Sequence, residues 1–238
     1  MDDSMKILCT ICARGGSVGV KNKNIRNFRG KPLIAHSIIQ AKKSNLFNMI
    51  AISSDSVKIR DVAKKWGADV TIERPAEMAT SSAPKLPVIQ HAFLEAEKIF
   101  GSQFDYLMDL DATSPLRSVE DITNSFTAFL ENKDATNLVT AAPARRSPYF
   151  NMLEVGKDGY TRLVKNSEHG ITRRQDTPNC YDMNASIYIW KRDTLLNATS
   201  TITDRTMLFV MPEERSIDID SVLDWKFVNL LAKERMDF

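Results

Sequence analysis

The chain has little cysteine, three residues in 238. That is too few for a disulfide framework, so stability rests on a buried core, which a chain of this length can build. Two of the three spell Cys-Thr-Ile-Cys at Cys9 and Cys12, a spacing shared with redox and metal motifs. They fall inside the β-rich run KILCTICA, where residues three apart point to opposite faces of a strand. Thiols on opposite faces share neither a metal nor a bridge, so both are expected to pack. Long hydrophobic runs are also missing: nothing approaches the about 20 apolar residues of a membrane span. The opening MDDSMK is acidic and polar, unlike a secretory signal, and the expected location is the cytoplasm. An excess of one charge is absent too, since 32 Lys and Arg face 30 Asp and Glu for a formal +2. This argues against a general nucleic-acid coat and makes any local basic cluster a directed one. Internal repeats and low-complexity tracts do not occur.

What is present is alternation. Strand-like runs at KILCTICA, MIAISS, ADVTIE, YLMDLD and NLVTAA are separated by helix-like runs at PLIAHSIIQAKKS, VKIRDVAKKWG, LPVIQHAFLEAEKIF and VEDITNSFTAFLE. Such alternation predicts βαβ units and an α/β fold with a doubly wound, mostly parallel sheet, whose ligands bind at the carboxyl ends of the strands. From Ala144 to Cys180 the pattern breaks into polar, turn-rich sequence. The reading is a single domain over 1–238 with an arm inserted at about 144–183, serving dimerisation or substrate binding. ASIYIWK and TMLFVM look like returning strands, and DSVLDWKFVNLLAKE like a closing amphipathic helix.

Three stretches carry chemistry. Between the first strand and the first helix lies ARGGSVGVKNKNIRNFRGK, a connection far longer than the two to six residues usual for such turns. Its glycines allow close backbone approach to a ligand, and its N–H groups together with Arg14, Lys21, Lys23, Arg26, Arg29 and Lys31 suit a polyanion such as a triphosphate. Neither GxxxxGK[ST] nor GxGxxG can be spelled from Gly15, Gly16, Gly19 and Gly30, and a solvated basic turn would use the same residues. In RSIDIDS, a strand would put Asp218 and Asp220 on one side and Ile217 and Ile219 on the other. Two such carboxylates suit Mg²⁺ shared with a nucleotide, although a solvent-facing strand edge fits equally. In LDATSPLR, Asp111, Thr113, Ser114 and Arg117 gather at a strand's carboxyl end, with Ser118 as the expected N-cap of the next helix; a plain capped turn fixed by Pro115 is the alternative.

Taken in order, ARGGS, KNI ahead of GKPL, SSD, RPAEMA, TSPLR, NASIYI and SIDID resemble the CMP-sialic acid synthetases, or acylneuraminate cytidylyltransferases, over about residues 6–230. The resemblance implies the nucleotide-diphospho-sugar transferase type of fold and a reaction of CTP with a nine-carbon 2-keto acid sugar, giving a CMP-sugar and pyrophosphate with Mg²⁺. It implies that Arg14 and Lys23 hold the triphosphate and act in catalysis with Asp218 and Asp220, the metal pair. Gly15, Gly16, Ser17, Lys21, Asn24, Arg74 and Asp111 complete the nucleotide site, with Asn24 and Arg74 at the cytidine end. Arg117, Arg174, Gln175 and Asn184 fall to the sugar, Arg174 in a neighbouring subunit of a homodimer.

The chain departs from the family pattern at several points. Val18 stands where the family has lysine, leaving a phosphate contact missing or supplied by Lys21. Asp111 replaces a glutamine, Asp182 an arginine of some relatives, and the Pro84-Lys85 region a small serine. RRSPYFNMLE and CYDMNASIYIW are similar to the bacterial branch that activates legionaminic acid. Its 9-deoxy, di-N-acylated sugar calls for an apolar wall, for which Tyr149, Phe150, Met152 and Met183 are candidates; the same residues would also serve a dimer interface. The other readings open at this point are a 3-deoxy-manno-octulosonate cytidylyltransferase and an inactive nucleotide- or sugar-binding module.

Overall fold

Ile7–Cys12 (β1) is apolar because it is buried on both faces and both edges. It lies inside a seven-stranded sheet of the computed structural model, which describes residues 5–166 and 173–235. The other strands are Met49–Ser54 (β2), Val70–Glu73 (β3), Tyr106–Leu110 (β4), Asn137–Pro143 (β5), Tyr181–Lys191 (β6) and Thr206–Val210 (β7). They run in the order β7-β5-β6-β4-β1-β2-β3. The β1–β2, β1–β4, β2–β3 and β5–β7 ladders are parallel, whereas β6 runs antiparallel to both β4 and β5. The mostly parallel sheet is as expected; its one reversed strand begins four residues earlier than ASIYIWK implies. The β6 register against β5 shifts between Met183 and Tyr188, around Ala185 at φ 52°.

Helices cover both faces. Leu33–Ser44 (α1), Val57–Lys65 (α2) and Val119–Glu131 (α4) pack one face through Ile34, Ile38, Ile59, Ile122 and Phe126. Lys85–Phe100 (α3) and Arg192–Asn197 (α5) cover the other through Ile89, Phe93 and Leu195. Cys9 joins the first cluster and Cys12 lies against the second, and all three cysteines are free. At about 0.8 kcal/mol per buried CH₂, these two layers supply the main stabilising contribution. Ser118 caps α4 as expected: its Oγ accepts from Asp121 N at 3.1 Å, and the Asp121 carboxylate accepts from Ser118 N at 2.8 Å. Among the described residues no helix is long and apolar enough to cross a membrane.

A third apolar cluster is the one that positions the site. Val20 and Phe28 of the long basic loop pack with Leu33, Leu116 and Ile219 against Val228 and Ala232 of the last helix, Val222–Lys233 (α6). Arg26 lies over the Trp225 ring at 4.8 Å, and Phe28 meets that ring edge-on at 5.7 Å. The loop is therefore braced by the C-terminal helix as well as by its own hydrogen bonds. Within 144–180 the chain leaves the sheet and forms a small hairpin, Leu153–Val155 with Thr161–Leu163, whose apolar residues Leu153 and Val155 are exposed.

Candidate active site

The carboxyl ends of β1, β3 and β4 open onto a polar cleft of about 500 Å³. Its first wall is the basic loop. Gly15 N donates to Asp55 Oδ1 at 2.8 Å, and Asn24 Nδ2 donates to the Arg14 carbonyl at 3.0 Å, which fixes the loop to the end of β2 and to itself. Gly19 carries a constraint that its spelling alone does not reveal. A Cβ there would lie 1.9 Å from the Asp220 carbonyl oxygen, so only glycine lets the loop and the 217–220 segment touch.

The basic residues of the loop divide. Arg14 and Lys23 line the cleft. Lys23 Nζ donates to the Ile219 carbonyl and pairs with Asp220 Oδ1 at 3.0 Å. Arg26 is spent on Trp225, Arg29 is exposed, and Lys31 lines a different cavity. Lys21 is exposed and does not line the cleft, so the expectation that it replaces the lysine missing at position 18 is corrected. The turn that begins at Asn22, in the left-handed region at φ 54°, directs Lys23 and Asn24 inward. Ser17 and Val18 also line the cleft, Val18 being 85% exposed.

Opposite the loop, Arg74 is buried, with Nε donating to Ser53 Oγ at 3.2 Å and Nη2 to the Ser53 carbonyl at 2.9 Å. Asn24 Oδ1 is buried without a hydrogen-bond partner among the described residues, a free acceptor at the same end. The floor holds a residue absent from the expected site. Lys85, first residue of α3, pairs with Asp111 Oδ2 at 2.9 Å and Asp109 Oδ2 at 3.3 Å, and lies 4.5 Å from the Tyr188 ring centroid. Burial works against the Lys85 charge, but the two carboxylates hold its ammonium well above the ordinary lysine range. Burial likewise opposes the Asp111 charge, yet Lys85 and the N–H and hydroxyl of Thr113 bring that carboxyl down to about 2. The signals for Lys85 in the sequence are its place in a region that departs from the family pattern and a lysine in the first turn of a helix, where acids are favoured.

Asp218 and Asp220 both face the cleft. They do so without the expected strand: 216–220 is irregular, tied by Ile219 N to the Thr113 carbonyl at 3.0 Å. No neighbour runs alongside to form a ladder, so the alternation is kept by the apolar cluster, which takes Ile217 and Ile219. Asp220 directly precedes α6, and the Asp224 carboxylate accepts from both Asp220 N (3.1 Å) and the N-cap Ser221 N (2.7 Å). Burial, with the Asp220 carboxylate adjacent, pushes Asp218 up to about 6. A carboxylate pair of which only Asp220 meets a cation, Lys23, fits Mg²⁺, which takes one or two carboxylates and fills its other positions with phosphate oxygens and water. Among the described residues no group of three or more His, Cys, Asp and Glu forms a complete metal cage, so such an ion would depend on the nucleotide.

Asp218 also lines a second, more apolar cavity of about 530 Å³, shared with Met183, Asn184, Ser216, Phe227 and Arg145. Asn184 is buried there, with its amide bonded to Thr140 Oγ1 (2.7 Å), Ser186 N (3.1 Å) and Ser216 Oγ (3.0 Å). Of the four candidates for an apolar wall, Met183 lines this cavity, while Tyr149, Phe150 and Met152 are not brought to it within the chain. Gln175 lines a separate groove with Arg146 and Thr177. Arg174 belongs to the turn Arg174–Asp176, and its side chain lies outside what is described. Arg117 is a correction. It is wholly buried, and its guanidinium donates to the Ser186 carbonyl (2.7 Å), Ser37 Oγ (2.9 Å) and Gln40 Oε1 (3.0 Å). Arg117 therefore ties α1 to β6 and reaches neither cavity.

Comparison with known proteins agrees with this geometry. The family described as Cytidylyltransferase matches residues 8–226. The chain belongs to the cytidylyltransferase family. It is 53% identical over 226 residues to the CMP-N,N'-diacetyllegionaminic acid synthase of Campylobacter jejuni, covering 95% of this chain and 94% of that one. It is also 53% identical over 230 residues to the post-translational flagellin modification protein B of Campylobacter coli, covering 97% and 96%. A pseudaminic acid cytidylyltransferase of Campylobacter jejuni is 29% identical over 229 residues, with 96% and 97% covered. Among solved structures, a CMP:2-keto-3-deoxy-manno-octonic acid synthetase complexed with CTP superposes with a TM-score of 0.68 at 15% identity, covering 97% and 100%. At that identity the likeness concerns the fold, the nucleotide-diphospho-sugar transferase type expected of this cytidylyltransferase.

Proposed function

We propose that this cytidylyltransferase joins CTP to a nine-carbon 2-keto acid sugar of the legionaminic type, releasing pyrophosphate. One observation carries the reading: Asp218 lines both the polar cleft and the apolar cavity, so a nucleotide and a sugar held side by side meet at one carboxylate. In this reading Arg14, Lys23, Ser17 and the Gly15-Gly16 backbone take the triphosphate, while Arg74 and Asn24 seat the pyrimidine. Asp111, held by Lys85, borders the ribose and α-phosphate. The sugar lies against Met183, Phe227 and Asn184 with its carboxylate toward Arg145, and its anomeric hydroxyl gives its proton to Asp218 as it attacks the α-phosphorus. Positioning of this kind supplies most of the acceleration in nucleotidyl transfer. Asp218 and Asp220 would hold Mg²⁺, which would supply neutralisation of the charge that gathers on the departing pyrophosphate.

The sugar assignment is supported by the apolar character of Met183 and Phe227 and by the similarity to the diacetyllegionaminate enzyme. A homodimer is proposed on the exposed apolar residues of α6, which borders this cavity, among them Leu223 at 73% and Leu230 at 53%, and on the arm, whose Gln175 lines a separate groove. The cytoplasm, where CTP is made, is the proposed location. The test is pyrophosphate release from CTP with legionaminic, pseudaminic and N-acetylneuraminic acids under one set of conditions. The highest kcat/KM is expected for legionaminic acid, with residual turnover of N-acetylneuraminic acid because an apolar pocket rejects an added hydroxyl by only about 10²-fold. Preference for N-acetylneuraminic acid overturns the sugar assignment, and no release with any acid overturns the reaction.

A further inference from the structure

We infer that Lys85 is a further substrate-contacting residue of the cleft, whose ammonium donates to a non-bridging oxygen of the nucleotide's α-phosphate; the inference rests on the reading of the cleft as a CTP site. Several elements hold that ammonium in place. Lys85 is the first residue of α3, with Pro84 as the N-cap. Its Nζ pairs with Asp111 Oδ2 at 2.9 Å, just past the end of β4, and with Asp109 Oδ2 at 3.3 Å, within β4. It also lies 4.5 Å from the ring centroid of Tyr188 on β6. Both carboxylates are fixed in turn: Asp109 is wholly buried and its Oδ1 accepts from Thr10 Oγ1 at 2.7 Å, while Asp111 accepts from the N–H and hydroxyl of Thr113. The Pro84-Lys85 region and Asp111 each depart from the family pattern, and the fold joins these two departures in one ion pair.

These contacts do not exhaust the lysine. An ammonium carries three N–H donors. Lys85 donates one to Asp111 and makes the ion-pair contact with Asp109, and no further acceptor meets it among the described residues. Its side chain is 28% exposed, against 1% for Asp109, and it lines the polar cleft but not the apolar cavity. The remaining donor therefore serves the nucleotide, and not the carboxylate of the sugar. Burial works against the charge, but the two carboxylates keep the group protonated well above the ordinary lysine range. Lys85 is thus a fixed cation and not a base.

Its neighbours set the part of the nucleotide on which it acts. With Arg14, Ser17 and Lys23 at the triphosphate and Arg74 and Asn24 at the pyrimidine, the floor residues Lys85, Asp111 and Thr113 fall to the ribose and the α-phosphate. The Asp111 carboxylate suits ribose hydroxyls and repels a phosphate, whereas the ammonium beside it suits a phosphate oxygen. During nucleotidyl transfer the non-bridging oxygens carry charge while the sugar hydroxyl attacks and pyrophosphate departs. A cation already held by its own carboxylates stabilises that charge without reorganising. Arg14 and Lys23 then act on the leaving group, and Lys85 on the phosphate under attack.

The test is equilibrium dialysis in EDTA with radiolabelled CMP and, separately, radiolabelled cytidine, which lacks only the phosphate. The chains compared are wild type, Lys85→Met and Lys85→Met/Asp111→Asn. The double variant removes both charges together, so no carboxylate is left at position 111 to unfold the chain or repel the phosphate. The ratio of the two dissociation constants does not depend on the fraction of chains that fold. In both variants CMP binding is expected to weaken about tenfold or more, the worth of a charged hydrogen bond, while cytidine binding stays within about twofold of wild type. Equal weakening of both ligands makes Lys85 a structural brace only and overturns the inference, as does CMP binding that is unchanged in the double variant. A wild type that binds neither ligand overturns the nucleotide reading and this one with it. A wild type that binds both, with the same ratio in the variants, overturns this one alone, so the two fail separately.

Discussion

The two cavities that meet at Asp218 are built by opposite means. In the nucleotide cleft several polar side chains are pinned by the chain itself: Arg74 by Ser53, Asp111 by Lys85 and Thr113, Lys23 by Asp220. In the neighbouring cavity the lining is largely apolar and open, with Met183 at 48% and Phe227 at 44% exposure, and the arm that carries Gln175 faces another groove. A site for an invariant, highly charged nucleotide gains from donors fixed in advance, since reorganising them would cost part of the binding energy. A site for the variable partner is left to shape.

The contrast predicts where substitutions act. Away from Asp218 itself, the largest effect is expected from Gly19→Ala, because its Cβ drives the basic loop off the Asp220 carbonyl. Displacement of the phosphate wall from the carboxylate pair by about 1 Å lowers kcat/KM for CTP about 10²-fold. An unchanged value would mean that the loop and the 217–220 segment need not touch. Next comes Lys85→Met, which leaves Asp109 and Asp111 buried without their cation. The expected loss is about 3 kcal/mol, toward the low end because Lys85 and Asp111 are partly solvated, or a fall in Tm of about 6–12 °C. Adding Asp111→Asn recovers part of it in a thermal melt. Absence of recovery would show that the ammonium, and not the pair, is what matters.

The same pair has a pH signature. The folded Asp111 carboxyl, at about 2, lies below its ordinary value of 3.8, so its contribution to stability is full above pH 3.8 and fades as the pH falls toward 2. Acid unfolding of Lys85→Met should therefore begin at higher pH than that of wild type, as followed by circular dichroism. Coincident acid transitions would count against the pairing. The smallest effect belongs to Lys21→Ala: exposed and outside the cleft, Lys21 should leave the KM for CTP within about twofold. A several-fold rise would return it to the phosphate wall.

Local pattern made much of this legible in the sequence. Alternating periodicity located the strands and helices, and β2 and α4 coincide with MIAISS and VEDITNSFTAFLE. Asp218 and Asp220 were found from the two-residue alternation of RSIDIDS, although an apolar cluster and not a ladder enforces it. What escaped depends on contacts between distant segments. Lys85 acquires its role from Asp109 and Asp111, more than twenty residues on, and Gly19 from a carbonyl near the other end of the chain. Lys21 and Lys23 are indistinguishable by composition, and the left-handed turn at Asn22 between them sends one inward and the other to solvent. Arg117 sits in a motif full of polar residues at a strand end, yet its side chain turns back under the sheet to join Ser37, Gln40 and Ser186.

The central claim is that one carboxylate serves both cavities, and Asp218→Asn tests it most directly. The measurement is steady-state pyrophosphate release with CTP and legionaminic acid each varied in turn, alongside a thermal melt. The account predicts that kcat falls about 10²–10³-fold while Tm stays near wild type, because the substitution keeps the shape of the side chain and leaves the Ile217 and Ile219 packing untouched. Turnover close to wild type in a folded Asp218→Asn would contradict it.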